Sequence, residues 1–131
     1  MEVLSARVLL RPRDRERSLE FYERTLGLAV YREFGSAEQR GVVFFTGAGL
    51  LEVSGAAGSD ERAGPHVALW LQVRDVAAEI GRLVSLGVPI LRPPRREPWG
   101  LVESWIEDPD GIRICLVEIP EDHPLRRRFG D

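Results

Sequence analysis

Cysteine is nearly missing from this 131-residue chain, Cys115 being the only one. A single thiol excludes an intramolecular disulfide and any metal site built from several thiolates. Lysine is missing altogether, so arginine supplies all 18 basic side chains, which reads as a coding bias rather than as function. Histidine occurs only as His66 and His123, leaving little imidazole for catalysis. No apolar run approaches the roughly 20 residues of a membrane span. The N-terminus has no basic stretch followed by an apolar one, so a cytoplasmic protein is expected, with no membrane partner. The net charge of −3 is slight, and acids and arginines alternate along the chain. Only Arg92, Arg95 and Arg96, in one expected loop, and Arg126-Arg127-Arg128, in the tail, cluster; both read as solvated, and nucleic acid is not indicated. No phosphate loop, dinucleotide fingerprint or Ser-His-Asp order is present.

What remains is an ordinary globular composition, 44% apolar and 30% charged, of a size for one domain. Val3 to Leu10 reads as a strand, with Leu4, Ala6, Val8 and Leu10 on one face and Ser5, Arg7 and Leu9 on the other. Asp14 is the expected N-cap of a helix that carries Leu19, Tyr22 and Leu26 on one stripe, and Gly27 suits its C′ position. Ala29–Glu33, Gly41–Thr46 and Leu50–Ser54 read as short strands, the last two joined by a Gly-Ala-Gly turn.

Gly55 to Pro65 has linker composition, and after it the same order recurs. His66–Val73 is a strand with an apolar face of Leu69, Leu71 and Val73 and a mixed face of Ala68, Trp70 and Gln72. Asp75 caps a helix running to Leu86, with Val76, Ile80, Leu83 and Val84 as its apolar positions, and Gly87 stands where Gly27 stood. Strands follow at Val88–Leu91, Leu101–Ile106 and Ile112–Glu118. Pro93, Pro94 and Pro98 predict an irregular segment between the first two, and Asp108-Pro109-Asp110-Gly111 a turn. The chain is thus an α+β domain of two β-α-β-β-β modules, residues 1–54 and 66–118, with a linker at 55–65 and a tail at 119–131. Pairing such modules gives a curved mixed sheet around a groove, helices outside.

The motifs Ser18-Leu19-Glu20-Phe21-Tyr22, Leu26-Gly27-Leu28, Val73-Arg74-Asp75, Trp99-Gly100 and Asp108-Pro109-Asp110-Gly111 stand in an order that resembles the vicinal oxygen chelate superfamily. That superfamily includes glyoxalase I, bleomycin resistance proteins and extradiol dioxygenases. The resemblance implies paired modules, commonly a homodimer, and ligand sites in the grooves. Its metal-dependent members hold a divalent ion with His and Glu on groove-facing strands. Counting from the landmarks, the equivalent positions here are Arg7, Glu52, Ala68 and Cys115.

Arginine repels a cation, alanine has no donor atom, and the remaining pair is a poor set for an ion that prefers oxygen and imidazole. No metal or other cofactor is expected. Arg7 and Glu52 then read as an ion pair, either self-sufficient or anchoring an anionic ligand group. His66 lies on the same face as Ala68, at the rim or, with a shifted register, nearer the centre. Trp70 beside the small Ala68 suits a flat ligand, and the stretch Ala68–Val73 resembles the bleomycin resistance branch. Trp99 is expected at the groove mouth, Trp105 leans to the core, and Arg113 shares a face with Cys115. Cys115 reads as a small buried hydrophobe rather than a nucleophile.

The expected function is metal-free binding of an aromatic or polycyclic small molecule such as an antibiotic, by Trp70 with Arg7, Glu52, Gln72 and Arg113. The alternative is a glyoxalase-like lyase, isomerase or dioxygenase, with Glu52 as acid–base group or with Glu52, His66 and Cys115 around an atypical metal.

Overall fold

Each half of the chain opens with a strand followed by a helix that starts on an aspartate and stops on a glycine. A computed structural model describes residues 2–55 and 67–124, and the chain divides into two compact units, Met1–Arg62 and Ala63–Asp131. His66, most of the expected linker and the Arg126-Arg127-Arg128 cluster lie outside the described residues. Both units are α+β with the order β-α-β-β-β.

In the first unit, β1 (Val8–Leu10) leads to α1 (Arg15–Glu20), whose cap Asp14 accepts the Arg17 N–H at 3.1 Å. The helix widens into a π turn, Phe21–Thr25, where a single regular helix was expected. The Leu26 N–H reaches back five residues to the Phe21 carbonyl at 2.8 Å, and the Leu28 N–H six to Tyr22 at 3.0 Å, across Gly27 at φ 74°. β2 (Val30–Phe34), a 3₁₀ turn (Ala37–Gln39), β3 (Gly41–Thr46) and β4 (Gly49–Val53) complete the sheet, ordered β1-β4-β3-β2. β1 runs parallel to β4 (Val8 opposite Leu51), and the other neighbours are antiparallel. β1 is shorter than the expected Val3–Leu10. Among the described residues its one neighbour begins at Gly49, so residues before Ala6 have no described strand to ladder with.

In the second unit, β5 (Ala68–Gln72) leads to α2 (Val76–Ser85), capped by Asp75, whose carboxylate accepts the Ala78 N–H at 3.0 Å. α2 closes on Gly87 at φ 81°, with Gly87 N–H to Val84 and Val88 N–H to Leu83, both at 3.0 Å. This is the Schellman pattern, and in the first unit the outer bond, Leu28 to Tyr22, spans one residue more. Val76, Ile80 and Leu83 are buried, but Val84, expected on the same stripe, is exposed. β6 (Ile90–Arg96), β7 (Val102–Glu107) and β8 (Arg113–Glu118) complete a sheet ordered β5-β8-β7-β6, with β5 and β8 parallel.

β6 corrects the expectation of a four-residue strand and an irregular Pro-rich loop. It passes straight through Pro93 and Pro94, and so Arg92, Arg95 and Arg96 lie on a strand. An edge position makes this tolerable, and a bulge takes up the missing donors: Arg92 opposes Trp105 while Arg95 opposes Glu103, three residues against two. The Ser104 hydroxyl donates to the Arg92 carbonyl at 2.6 Å opposite the bulge. A second bulge, at Leu91, matches one at Tyr31 in the first unit. The remaining strands differ from the expected ranges only by a residue or two at their ends.

Candidate functional site

Strand alternation decides which side chains each sheet offers away from its helix. In the first unit Tyr22 packs on Phe44, their ring centroids 6.3 Å apart, and Phe44 opposes Leu51 and Val30. That row and the next, with Val42 and Val53, lie under the helix. The other face carries Arg7, Leu9 and Arg11, then Glu52 and Ser54, then Val43 and Phe45.

The expected Arg7–Glu52 pair forms on that face, with Arg7 Nη1 donating to Glu52 Oε1 at 3.0 Å. Two partners were not foreseen. The Ser54 hydroxyl donates to Glu52 Oε2 at 2.6 Å and accepts from Arg11 Nη1, also at 2.6 Å; Arg11 Nη1 itself lies 3.5 Å from Glu52 Oε2. Both residues were legible as a period-two continuation, Ser54 two positions beyond Glu52 and Arg11 four beyond Arg7. The Ser54 hydroxyl first, then the two guanidinium groups, hold the Glu52 carboxyl below the usual carboxylate range, against the opposing pull of partial burial. Two cations now serve one carboxylate, and one of the five N–H groups of Arg7 is engaged with it.

In the second unit the Glu118 carboxylate accepts the Val76 N–H at 3.0 Å, which puts Glu118, and with it Leu116 and Ile114, on the helix side of β8. Cys115 and Val117 face the other way. Three directly opposed residues form one row across that helix-free face: Trp70 on β5, Cys115 on β8 and Trp105 on β7. The next rows hold Ala68 with Arg113 and Glu107, and Gln72 with Val117 and Glu103. Neighbouring strands are about 4.8 Å apart, so the two indoles rise from backbones roughly 10 Å apart with a small residue between them.

Trp70 is 54% exposed, and Ala68, Gln72 and Arg113 are exposed beside it. Trp105 is half-buried and packs on Leu101, Cys115, Val117 and Ile119, so its core role and its place in the row coexist. Trp99 is exposed, but its Nε1 donates to Glu103 Oε2 at 2.8 Å, and a ring nitrogen of His123 lies 3.0 Å from its carbonyl. Cys115 Sγ lies 3.6 Å from Glu103 Oε1. Burial first, then this carboxylate, push the thiol up to about 12, so it is no nucleophile near neutral pH. Glu103 was missed from sequence, although it stands two residues before Trp105 and so on the same face. Glu97, also missed, is buried and bonded by both Arg92 and Arg95.

The four positions equivalent to metal ligands in the resembling superfamily therefore hold an ion-paired guanidinium, its carboxylate, a methyl group and a protonated thiol. That set does not fit a divalent cation. Among the described residues no three His, Cys, Asp or Glu side chains gather in a way that would hold one. Among them, too, no helix is long and apolar enough to cross a membrane.

The sequence profile described as Glyoxalase/Bleomycin resistance protein/Dioxygenase superfamily matches residues 5–116. No curated protein matches the chain. Among solved structures, SMU.1112c is 28% identical with a TM-score of 0.72, the match covering 88% of this chain and 100% of that one. A member of the same superfamily from Sphaerobacter thermophilus DSM 20745 is 27% identical with a TM-score of 0.67, covering 90% and 97%. TnmS3, an antibiotic binding protein from Streptomyces sp. CB03234, shares the fold at 22% identity and a TM-score of 0.71, covering 91% and 98%.

Proposed function

This chain belongs to the Glyoxalase/Bleomycin resistance protein/Dioxygenase superfamily, and from that premise we propose that it binds a planar aromatic small molecule, such as an antibiotic, without a metal and without transforming it. The observation that carries this reading is the row Trp70–Cys115–Trp105 on the helix-free face of the second sheet. The two indoles stand about 10 Å apart at their bases, and the exposed Trp70 offers a ring on which a flat ligand can stack. Each stacked pair contributes about 1 kcal/mol beyond the area it buries. Gln72 and Arg113 supply hydrogen bonds from either side of the row. The fold is one on which TnmS3 is an antibiotic binding protein, which supports holding a guest as a use of this scaffold.

Two groups support holding rather than turnover: the Cys115 thiol stays protonated, and Glu52 is committed to three donors. We take the active form to be a homodimer in the cytoplasm, and light scattering tests the dimer directly. Binding itself is tested by a thermal-shift screen of planar aromatic antibiotics, followed by mass spectrometry of the recovered ligand. At a hundredfold excess over Kd the stabilisation is about 2.7 kcal/mol, or roughly 10 °C in Tm. Trp70→Ala is expected to cut affinity about tenfold or more while leaving the Tm of the free protein within a few degrees. A screen without hits, or a ligand recovered chemically changed, would overturn the proposal.

A further inference from the structure

We infer that Glu103 anchors a positively charged nitrogen on the ligand, so that the second unit takes a planar organic cation; this rests on the binding reading above. Glu103 is only 7% exposed, and it sits one row along from Trp70, Cys115 and Trp105 on the same helix-free face. Its two oxygens meet the Trp99 indole N–H at 2.8 Å and the Cys115 thiol at 3.6 Å. Both donors are neutral. A carboxylate this deep is ordinarily matched by a cation, because burial strips the water that would otherwise stabilise its charge.

The expected counterion is present in sequence and diverted in space. Arg95 stands directly opposite Glu103 across β6 and β7, where opposite charges ordinarily pair. Its guanidinium goes instead to Glu97, with Nε to Oε1 at 3.1 Å and Nη2 to Oε2 at 3.4 Å. Arg92 donates to the same Glu97 Oε1 at 2.5 Å. Among the described residues Glu97 therefore draws two guanidinium groups by direct hydrogen bond, and Glu103 draws none. Each carboxylate oxygen has more than one acceptor direction, so two neutral donors leave capacity unfilled.

Indole rings stand near this carboxylate. An indole face attracts a cation and disfavours an anion. The Nε1 bond to Glu103 fixes the edge of Trp99 while most of the residue stays exposed, and Trp105 is two positions along the same strand face. A buried carboxylate among indoles is the recognition chemistry of a protonated or quaternary amine.

The test uses two probes of one shape: 9-aminoacridine, protonated at neutral pH, and the neutral acridone, each titrated calorimetrically into the full-length protein. The native chain is expected to bind the cation at least about tenfold more tightly than the neutral ring. Glu103→Gln should erase that preference while leaving acridone affinity within about twofold, which also reports that the variant is folded. Glu97→Gln should weaken the cation alone, because the released Arg92 and Arg95 then turn to Glu103, and adding Arg92→Ala and Arg95→Ala to Glu97→Gln should restore it. This second pair carries the test if Glu103→Gln fails to fold. Equal affinity for the two probes, or a preference that survives Glu103→Gln, overturns the cation anchor and leaves the flat-ring reading standing. Failure of the native chain to bind either probe overturns both.

Discussion

Glu52 shows how far a single carboxylate can be read from sequence. Its pairing with Arg7 followed from two residues on one sheet face, whereas its bonds with Ser54 and Arg11 needed the register that sets those side chains beside it. Because the folded chain holds this group below its ordinary value of 4.5, the stability it lends is complete above that value and is lost as pH falls through the folded one. Glu52→Gln is therefore expected to cost about 1 kcal/mol at pH 7 and nearly nothing in strong acid, read as the convergence of the two Tm curves on acidification. Cys115 gives a second outcome at this scale. Buried and held as a thiol up to about 12, it should resist iodoacetamide at pH 8 in the folded state and react promptly once denatured; fast labelling of native protein would contradict its placement. Glu103 and Glu97 were illegible as a pair because nothing in the order of Arg92, Arg95, Glu97 and Glu103 says which acid the arginines choose. The bulge at the two prolines aims both guanidinium groups at Glu97.

Elements with local punctuation were legible, and those shaped by a neighbour were not. Asp14, Asp75, Gly27 and Gly87 mark their helix ends by side-chain capping and by positive φ, both properties of a few adjacent residues. Gly41–Thr46 matches its strand residue for residue. β6 was hidden because proline argues against a strand unless that strand is known to lie at an edge, which is a fact about the sheet. The π turn had a signal that spacing alone contains: Gly27 follows Asp14 by thirteen residues, while Gly87 follows Asp75 by twelve. The additional residue is what Phe21–Thr25 takes up as a wider turn. Deleting the exposed Arg24 should convert this turn to ordinary helix, with Leu26 then bonding Phe21 four positions back. The expected outcome is a cooperative fold with Tm within about 5 °C of native and unchanged or greater helical circular dichroism. Loss of folding would assign the wide turn a packing role of its own.

At the level of the whole molecule, duplication was the most legible property, because the same cap, stop and strand order occur twice and each copy needs the same turn chemistry. What the duplication does not carry is chemistry, since equivalent seats hold unlike residues: Arg7 and Ala68, Leu9 and Trp70, Glu52 and Cys115. With that set, protein purified without chelator is expected to contain less than about 0.1 equivalent of any transition metal, and its Tm should not move on addition of EDTA. A fall of several degrees would place structural or catalytic metal in the chain and revive the enzyme alternative. The edge strand of the second sheet has a consequence of its own. Two successive prolines on β6 cannot donate, and because neighbouring amides point to opposite sides of a strand, one of them leaves a gap on the outer border. The border is thereby a poorer template for strand-by-strand growth, so the exposed tryptophans stand on a sheet with a weakened route into fibrous assemblies.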